Sequence, residues 1–302
     1  MKKFLKSMLP SAVYEFLKRT DKKVQVVKSK AKILFSIPLK KKLNKIKFEI
    51  HLTEHCNLNC KSCNNFSCIA DPEFIDVEEF RRDFTRMAEI FNHECERIYL
   101  LGGEPLLHPD IITLIKIARE CFTSGNIFIF TNGILLPKKE ADFWQACHDN
   151  KIGILISAYP IKIDIDTIRE KAKIFSVNVN WARGLNEHEH KQFSITGLNL
   201  AGNGDVKLNF ATCGSANYCI TLKHGKLFTC VPAAHVHHFN KYFHKNINIT
   251  PADYINIYED YNAEYIFQKL IEPIPACRYC KTSETPRVIE WGQTQKEISE
   301  WL

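Results

Sequence analysis

Residues 48–63 read Phe-Glu-Ile-His-Leu-Thr-Glu-His-Cys-Asn-Leu-Asn-Cys-Lys-Ser-Cys, a strand-like run that breaks at once into a loop carrying three cysteines. Their spacing is C-x3-C-x2-C, at Cys56, Cys60 and Cys63. Three thiolates this close together can hold three corners of one cubane iron–sulfur cluster and leave the fourth iron open to a small molecule. Zinc is the alternative, but structural zinc sites close with four ligands drawn from paired C-x2-C or C/H units, and no such pair adjoins this loop.

Two further signals follow, each just after a strand-like run: Gly102-Gly103-Glu104-Pro105 after residues 98–101, and Thr131-Asn132-Gly133 after residues 127–130. With the cysteine loop, in this order, they resemble the signature of the radical S-adenosylmethionine (SAM) enzymes. The resemblance implies a [4Fe–4S] cluster on Cys56, Cys60 and Cys63 that binds SAM, and it places the SAM amino group at the Gly102–Glu104 motif. Gly102 and Gly103 lack the Cβ that would obstruct the methionine end, and Glu104 can accept from the ammonium group. Asn132 is expected beside them. The chain departs from the pattern at Ser62, where the family carries an aromatic residue near the adenine.

From residue 48 onward strand-like and helix-like segments alternate. Strands are expected over 48–53, 97–101, 127–131, 152–157, 174–180 and 194–200, and helices over 77–91, 110–121, 138–150 and 164–173. Repeated βα units imply a parallel sheet with right-handed crossovers. Six units match the partial (β/α)6 TIM-like barrel that the resemblance implies, with chemistry at the C-terminal ends of the strands. Ser157, at the end of the fourth strand, reads either as a ribose contact or as a strand-end cap. Arg183, beyond the fifth, reads either as a catalytic group on a substrate oxygen or as a surface arginine. Cys95, Cys121 and Cys147 are isolated in or beside helical segments and read as buried thiols, and Cys68 as structural.

A second cysteine group follows Cys213. Residues 218–230 contain two strand-like runs around His224-Gly225, a hairpin with Cys219 and Cys230 facing one another, Cβ atoms about 5 Å apart. Cys277-Arg-Tyr-Cys280 comes later. The order resembles the shortened auxiliary-cluster module called twitch, a reduced form of the SPASM module. That resemblance implies an auxiliary [4Fe–4S] cluster on Cys213, Cys230, Cys277 and Cys280, with Cys219 as the alternative to Cys213. His235, His237 and His238 read as a solvent-facing loop, and residues 251–272 as one helix packing the module on the barrel.

The chain thus divides into a basic amphipathic extension (1–46), a radical SAM barrel (47–205) and an auxiliary-cluster module (206–302). The formal net charge of +7 is uneven: the first 46 residues hold 14 Lys or Arg against Glu15 and Asp21, a net of +12, leaving −5 on the rest. Such a segment suits an anionic membrane surface or an acidic partner, or packs its apolar side on the barrel; no motif accompanies it that points to specific nucleic-acid binding. No run of about 18 apolar residues is present, and no secretory signal, so the cytoplasm is expected, with contact to the inner membrane face through the extension. Twelve cysteines in metal-like spacings then read as reduced thiols.

The resulting expectation is an oxidoreductase that cleaves SAM to a 5′-deoxyadenosyl radical and oxidises a secondary alcohol of a carbohydrate-like substrate, nucleotide- or lipid-linked, with flavodoxin or ferredoxin as electron donor. The alternatives are a sugar epimerase or a peptide maturase. An electron carrier or nucleic-acid-binding protein without SAM chemistry would have no use for Gly102–Pro105.

Overall fold

The structure, a computed structural model, describes residues 43–302 apart from Glu187. Nearly all of the basic extension, and the membrane contact expected of it, therefore lies outside the described residues.

Five strands pair in parallel: β1 (Lys47–Thr53), β2 (Glu94–Gly102), β3 (Ser124–Thr131), β4 (Ile152–Ile156) and β5 (Val179–Trp181). Helices α1 (Val77–Ile90), α2 (Ile111–Cys121), α3 (Ala141–Asp149) and α4 (Ile165–Ile174) connect them. The alternation of β1 sets the layers. Phe48, Ile50 and Leu52 enter the core, where Phe48 meets Phe84 of α1 and Phe122 edge-on or tilted, while Glu49 lines a cavity on the opposite face. Helix α1 begins where Asp76 accepts from the backbone N–H groups of Glu78 and Glu79, and it buries Phe80, Phe84 and Met87 against this layer.

The expected α/β fold with a mostly parallel sheet is present, but its sixth unit differs. β6 (Gln192–Ile195) leaves the barrel and pairs antiparallel with β10 (Arg287–Glu290). The reason is legible in composition: β3 and β4 carry near-continuous apolar runs, as strands covered on both faces must, whereas Gln192-Phe-Ser-Ile alternates, as a ribbon half open to water does. The other edge of β1 is taken by β7 (Thr221–Lys223), parallel to it, followed by antiparallel β8 (Lys226–Phe228) and β9 (Tyr254–Asn256). β5 and β9 are the outer strands, so among the described residues the sheet does not close into a barrel.

Three other expectations change. The run 174–180 is split, Ile174 ending α4 and only Val179–Trp181 forming a strand. The single helix over 251–272 is instead the edge strand β9 and a shorter helix α7 (Ala263–Leu270), started by the Asn262 side chain accepting from the Tyr265 N–H. Aromatic residues three and four apart imitate a helix there, but the hairpin edge offers Tyr254–Asn256 a ladder of backbone hydrogen bonds. His235, His237 and His238 lie on helix α6 (Val231–Phe243), with His235 and His238 buried. Helix α5 (Val206–Thr212) completes the module.

Candidate active site at the C-terminal ends of the strands

β1 and β2 end beside each other, with Thr53 opposite Gly102. This juxtaposition brings the cysteine loop against the Gly102–Pro105 turn. The Gly103 N–H donates to the Thr53 carbonyl at 2.9 Å and the Glu104 N–H to the His55 carbonyl at 3.1 Å. Cys56, Cys60 and Cys63 line one cavity of about 510 Å³ together with Gly102, Gly103, Asn132, Ser157 and Arg183. The three loop thiols and the residues expected to hold SAM are thus brought together.

The surroundings differ from thiol to thiol. Cys56 Sγ accepts from the Leu58 N–H at 3.4 Å, with Asn132 Nδ2 at 3.9 Å. Cys60 Sγ accepts from the Trp291 indole N–H at 3.3 Å. Burial raises the Cys63 thiol above its ordinary value. Burial pushes Cys56 up to about 11 and Cys60 to about 12, so the protonated forms are favoured until a metal cation replaces the proton. Three soft thiolates with N–H donors around them fit a cubane cluster with one open corner.

Glu104 is held by three donors. Its side chain is fully buried and accepts from the Thr131 hydroxyl at 2.7 Å, the Asn132 N–H at 2.9 Å and the Leu106 N–H at 3.1 Å. The carboxylate does not line the cavity; it ties the end of β3 to that of β2, and the cavity wall there is the backbone of Gly102 and Gly103. Asn132, held through its own N–H, donates from Nδ2 to the Asn57 side chain at 2.7 Å. Ser62 sits in the left-handed region at φ 54° and donates to the Glu300 carbonyl at 2.7 Å, which turns it toward the C-terminal segment.

The second group also converges. Cys213, Cys230, Cys277 and Cys280 line a cavity of about 30 Å³, and Cys213, Cys230 and Cys280 also border the large one. Cys219 borders only the large cavity. The hairpin ladder stops at Thr221 opposite Phe228, two residues short of the facing position expected for Cys219 and Cys230.

His235 Nδ1 and His238 Nε2 lie 3.0 and 2.5 Å from one oxygen of Glu54, while the Lys223 ammonium donates to the other at 2.8 Å. Donor atoms of His51, Glu54 and His235 approach within 4.8 Å of one another, a metal-like convergence. However, the His51 and His235 rings stack at 3.6 Å and 15°, which aims their lone pairs side by side rather than at one point, and Lys223 already neutralises the carboxylate. The group is a buried ion-pair network that fastens α6 to the end of β1.

The family model described as Radical SAM superfamily matches residues 50–183. These residues are a radical SAM domain. Its cofactors are SAM and a [4Fe–4S] cluster, which the cysteine loop and the Gly102–Gly103 wall accommodate. A curated relative, the probable GTP 3′,8-cyclase of Thermoplasma volcanium, is 30% identical over 172 residues, 57% of this chain and 47% of its own length. The GTP 3′,8-cyclase of Limosilactobacillus fermentum is 28% identical over 53% of this chain and 52% of its own. The chain therefore spans about half the length of these relatives. Among solved structures, BtrN in complex with AdoMet and 2-DOIA aligns over 80% of this chain and 98% of its own, at 14% identity and a TM-score of 0.47.

Several residues around the radical SAM site have no motif in the sequence. The Trp291 indole donates to Cys60, its ring packs on Tyr159 at 5.9 Å, and His190 stacks on Tyr159 at 5.3 Å. Among the described residues that line the cavity Glu49 is the sole carboxylate, and the cations there include Lys61, Arg97 and Arg183. Its signal was the polar face of β1, where Glu49, His51 and Thr53 alternate with apolar residues. Burial raises Glu49 to about 7, opposed by the Thr221 hydroxyl.

Proposed function

We propose that this protein is a radical SAM oxidoreductase that converts a secondary alcohol of a small, anionic, carbohydrate-like substrate to the ketone. The observation that carries the reading is the convergence of Cys213, Cys230, Cys277 and Cys280 on one small cavity bordering the large one. Four thiolates complete a cluster, and a cluster without an open iron suits electron uptake better than substrate binding. When bound, SAM on its cluster supplies the radical that removes hydrogen from the carbinol carbon, and the auxiliary cluster takes up the second electron.

The chain's own task is then the hydroxyl proton. Glu49, raised to about 7, is suited to accept it near neutral pH, whereas a guanidinium stays charged there, so Arg183 is assigned to hydrogen-bond the substrate oxygen. Gly102, Gly103, Glu104, Asn132 and Ser157 are assigned to SAM. The overall change is loss of one hydrogen atom, one proton and one electron from the alcohol. Flavodoxin or ferredoxin remains the proposed reductant for SAM cleavage.

A second reading is cyclisation of a nucleoside triphosphate, favoured by the names of the curated relatives and by the three cations lining the cavity. One assay separates the two. Reconstituted full-length protein is given SAM, reductant and, in separate reactions, GTP or a panel of aminocyclitols and nucleotide sugars. Consumption of SAM with a product lighter by two hydrogens supports oxidation, and its loss in C277A/C280A with SAM cleavage retained supports the auxiliary assignment. A product of unchanged mass formed from GTP overturns oxidation in favour of cyclisation.

A further inference from the structure

The last dozen residues fold back over the cysteine loop. Gln293 pairs with Cys60 as an antiparallel bridge, the Lys61 N–H donates to the Gly292 carbonyl at 2.8 Å, and the Thr294 N–H donates to the Asn59 carbonyl at 2.9 Å. Beyond them the Trp301 indole donates to the Cys63 carbonyl at 3.0 Å. Trp291 is itself fixed, because its N–H donates to the Lys191 carbonyl at 2.7 Å. Its ring packs on that of Tyr159, 5.9 Å away.

Cys60 differs from Cys56 in this respect. Cys56 takes its nearest N–H donor from its own loop, whereas Cys60 takes an indole N–H from the far end of the chain. An N–H or O–H donated to a ligating thiolate withdraws electron density, stabilises the reduced cluster and fixes the ligand's direction.

We propose that Trp291, packed on Tyr159, is a positioning residue of the SAM-binding cluster: its indole N–H bond to Cys60 raises the reduction potential and makes the C-terminal segment part of the radical-generating site. The proposal rests on Cys60 as a cluster ligand, which fails separately, since C60A would then keep all its iron. It needs no substrate, so it stands apart from the reaction proposed above.

The test uses the full-length chain, reconstituted anaerobically, with W291F and W291M, which remove the indole donor. EPR-monitored redox titration follows the signal that SAM addition perturbs, beside iron content and the rate of 5′-deoxyadenosine formation at limiting reductant. The expected result is full iron, a more negative midpoint in each variant and slower SAM cleavage, by several-fold, that recovers with a stronger reductant. Midpoints equal to wild type at full iron overturn the proposal. Should W291F fail to hold iron, W291M decides, and an unchanged midpoint there overturns it.

Discussion

Gly103 has no room for a side chain. A Cβ there would meet the His55 carbonyl oxygen at 1.9 Å and the Cys56 nitrogen at 2.8 Å, both backbone atoms of the cysteine loop. G103A should therefore displace the loop, destabilise the fold by about 1–3 kcal/mol, and lower iron occupancy, as measured by thermal denaturation and iron analysis. Glu49 makes the opposite case, a residue retained at some expense to stability. Its carboxyl is raised from 4.5 to about 7 by burial, with Thr221 opposing, so the folded state holds the proton more tightly than the unfolded state. The contribution is fully present below about pH 4.5 and is lost as pH rises toward and through 7. E49Q, neutral throughout, should match wild type near pH 4 and exceed its stability at pH 8 by about 3 kcal/mol at most, a ceiling because the cavity admits water. Denaturant titrations at the two pH values check this, and equal differences at both would contradict it.

Among the elements, the hairpin of β7 and β8 is what joins the auxiliary module to the barrel. It turns at His224-Gly225, with φ of 47° and 67°, the pair of positive angles that a two-residue hairpin favours. Asp83 of α1, 1% exposed, holds the turn by accepting from the Gly225 N–H at 2.7 Å and from the Tyr258 hydroxyl. Removing that acceptor strands a buried N–H. D83A should cost about 1–3 kcal/mol and speed hydrogen exchange at Gly225 before the rest of the sheet. Uniform exchange across the sheet would show that the turn has no local stability of its own.

The molecule as a whole is organised around two groups of cysteines that share one cavity wall. Cys213, Cys230 and Cys280 border the same space as Cys56, Cys60 and Cys63. Reconstituted protein should carry roughly eight irons, and the triple Ala variant at Cys56, Cys60 and Cys63 roughly four, if each group holds one cubane. An unchanged iron count in that variant would rule out the first group as a cluster site. In the ligand-free chain burial holds Cys280 up near 12 and raises Cys230 well above the ordinary thiol range. Iron uptake should therefore release protons and rise with pH, as pH-stat measurement during reconstitution would record.

Local spacing was enough to read the radical SAM domain, because Cys56, Cys60 and Cys63 reach one cluster whatever surrounds the loop. The same holds for Gly102 and Gly103, since a strand end that must pass close to another backbone needs residues without a Cβ. Four of the five parallel strands and all four crossover helices announced themselves by periodicity. Tertiary structure decided what periodicity cannot carry. It gave the free edge of β1 to β7 instead of a sixth barrel strand, and it turned the Glu104 carboxylate into a backbone clamp. It also buried His235 and His238 against Glu54, and it set Trp291 on Cys60 across 231 residues of sequence. Each of these is a contact between segments with no local signature of one another. A side chain's partner there depends on which surfaces the closed sheet edge and the folded-back C-terminal segment bring together, and that is fixed only when the whole chain has packed.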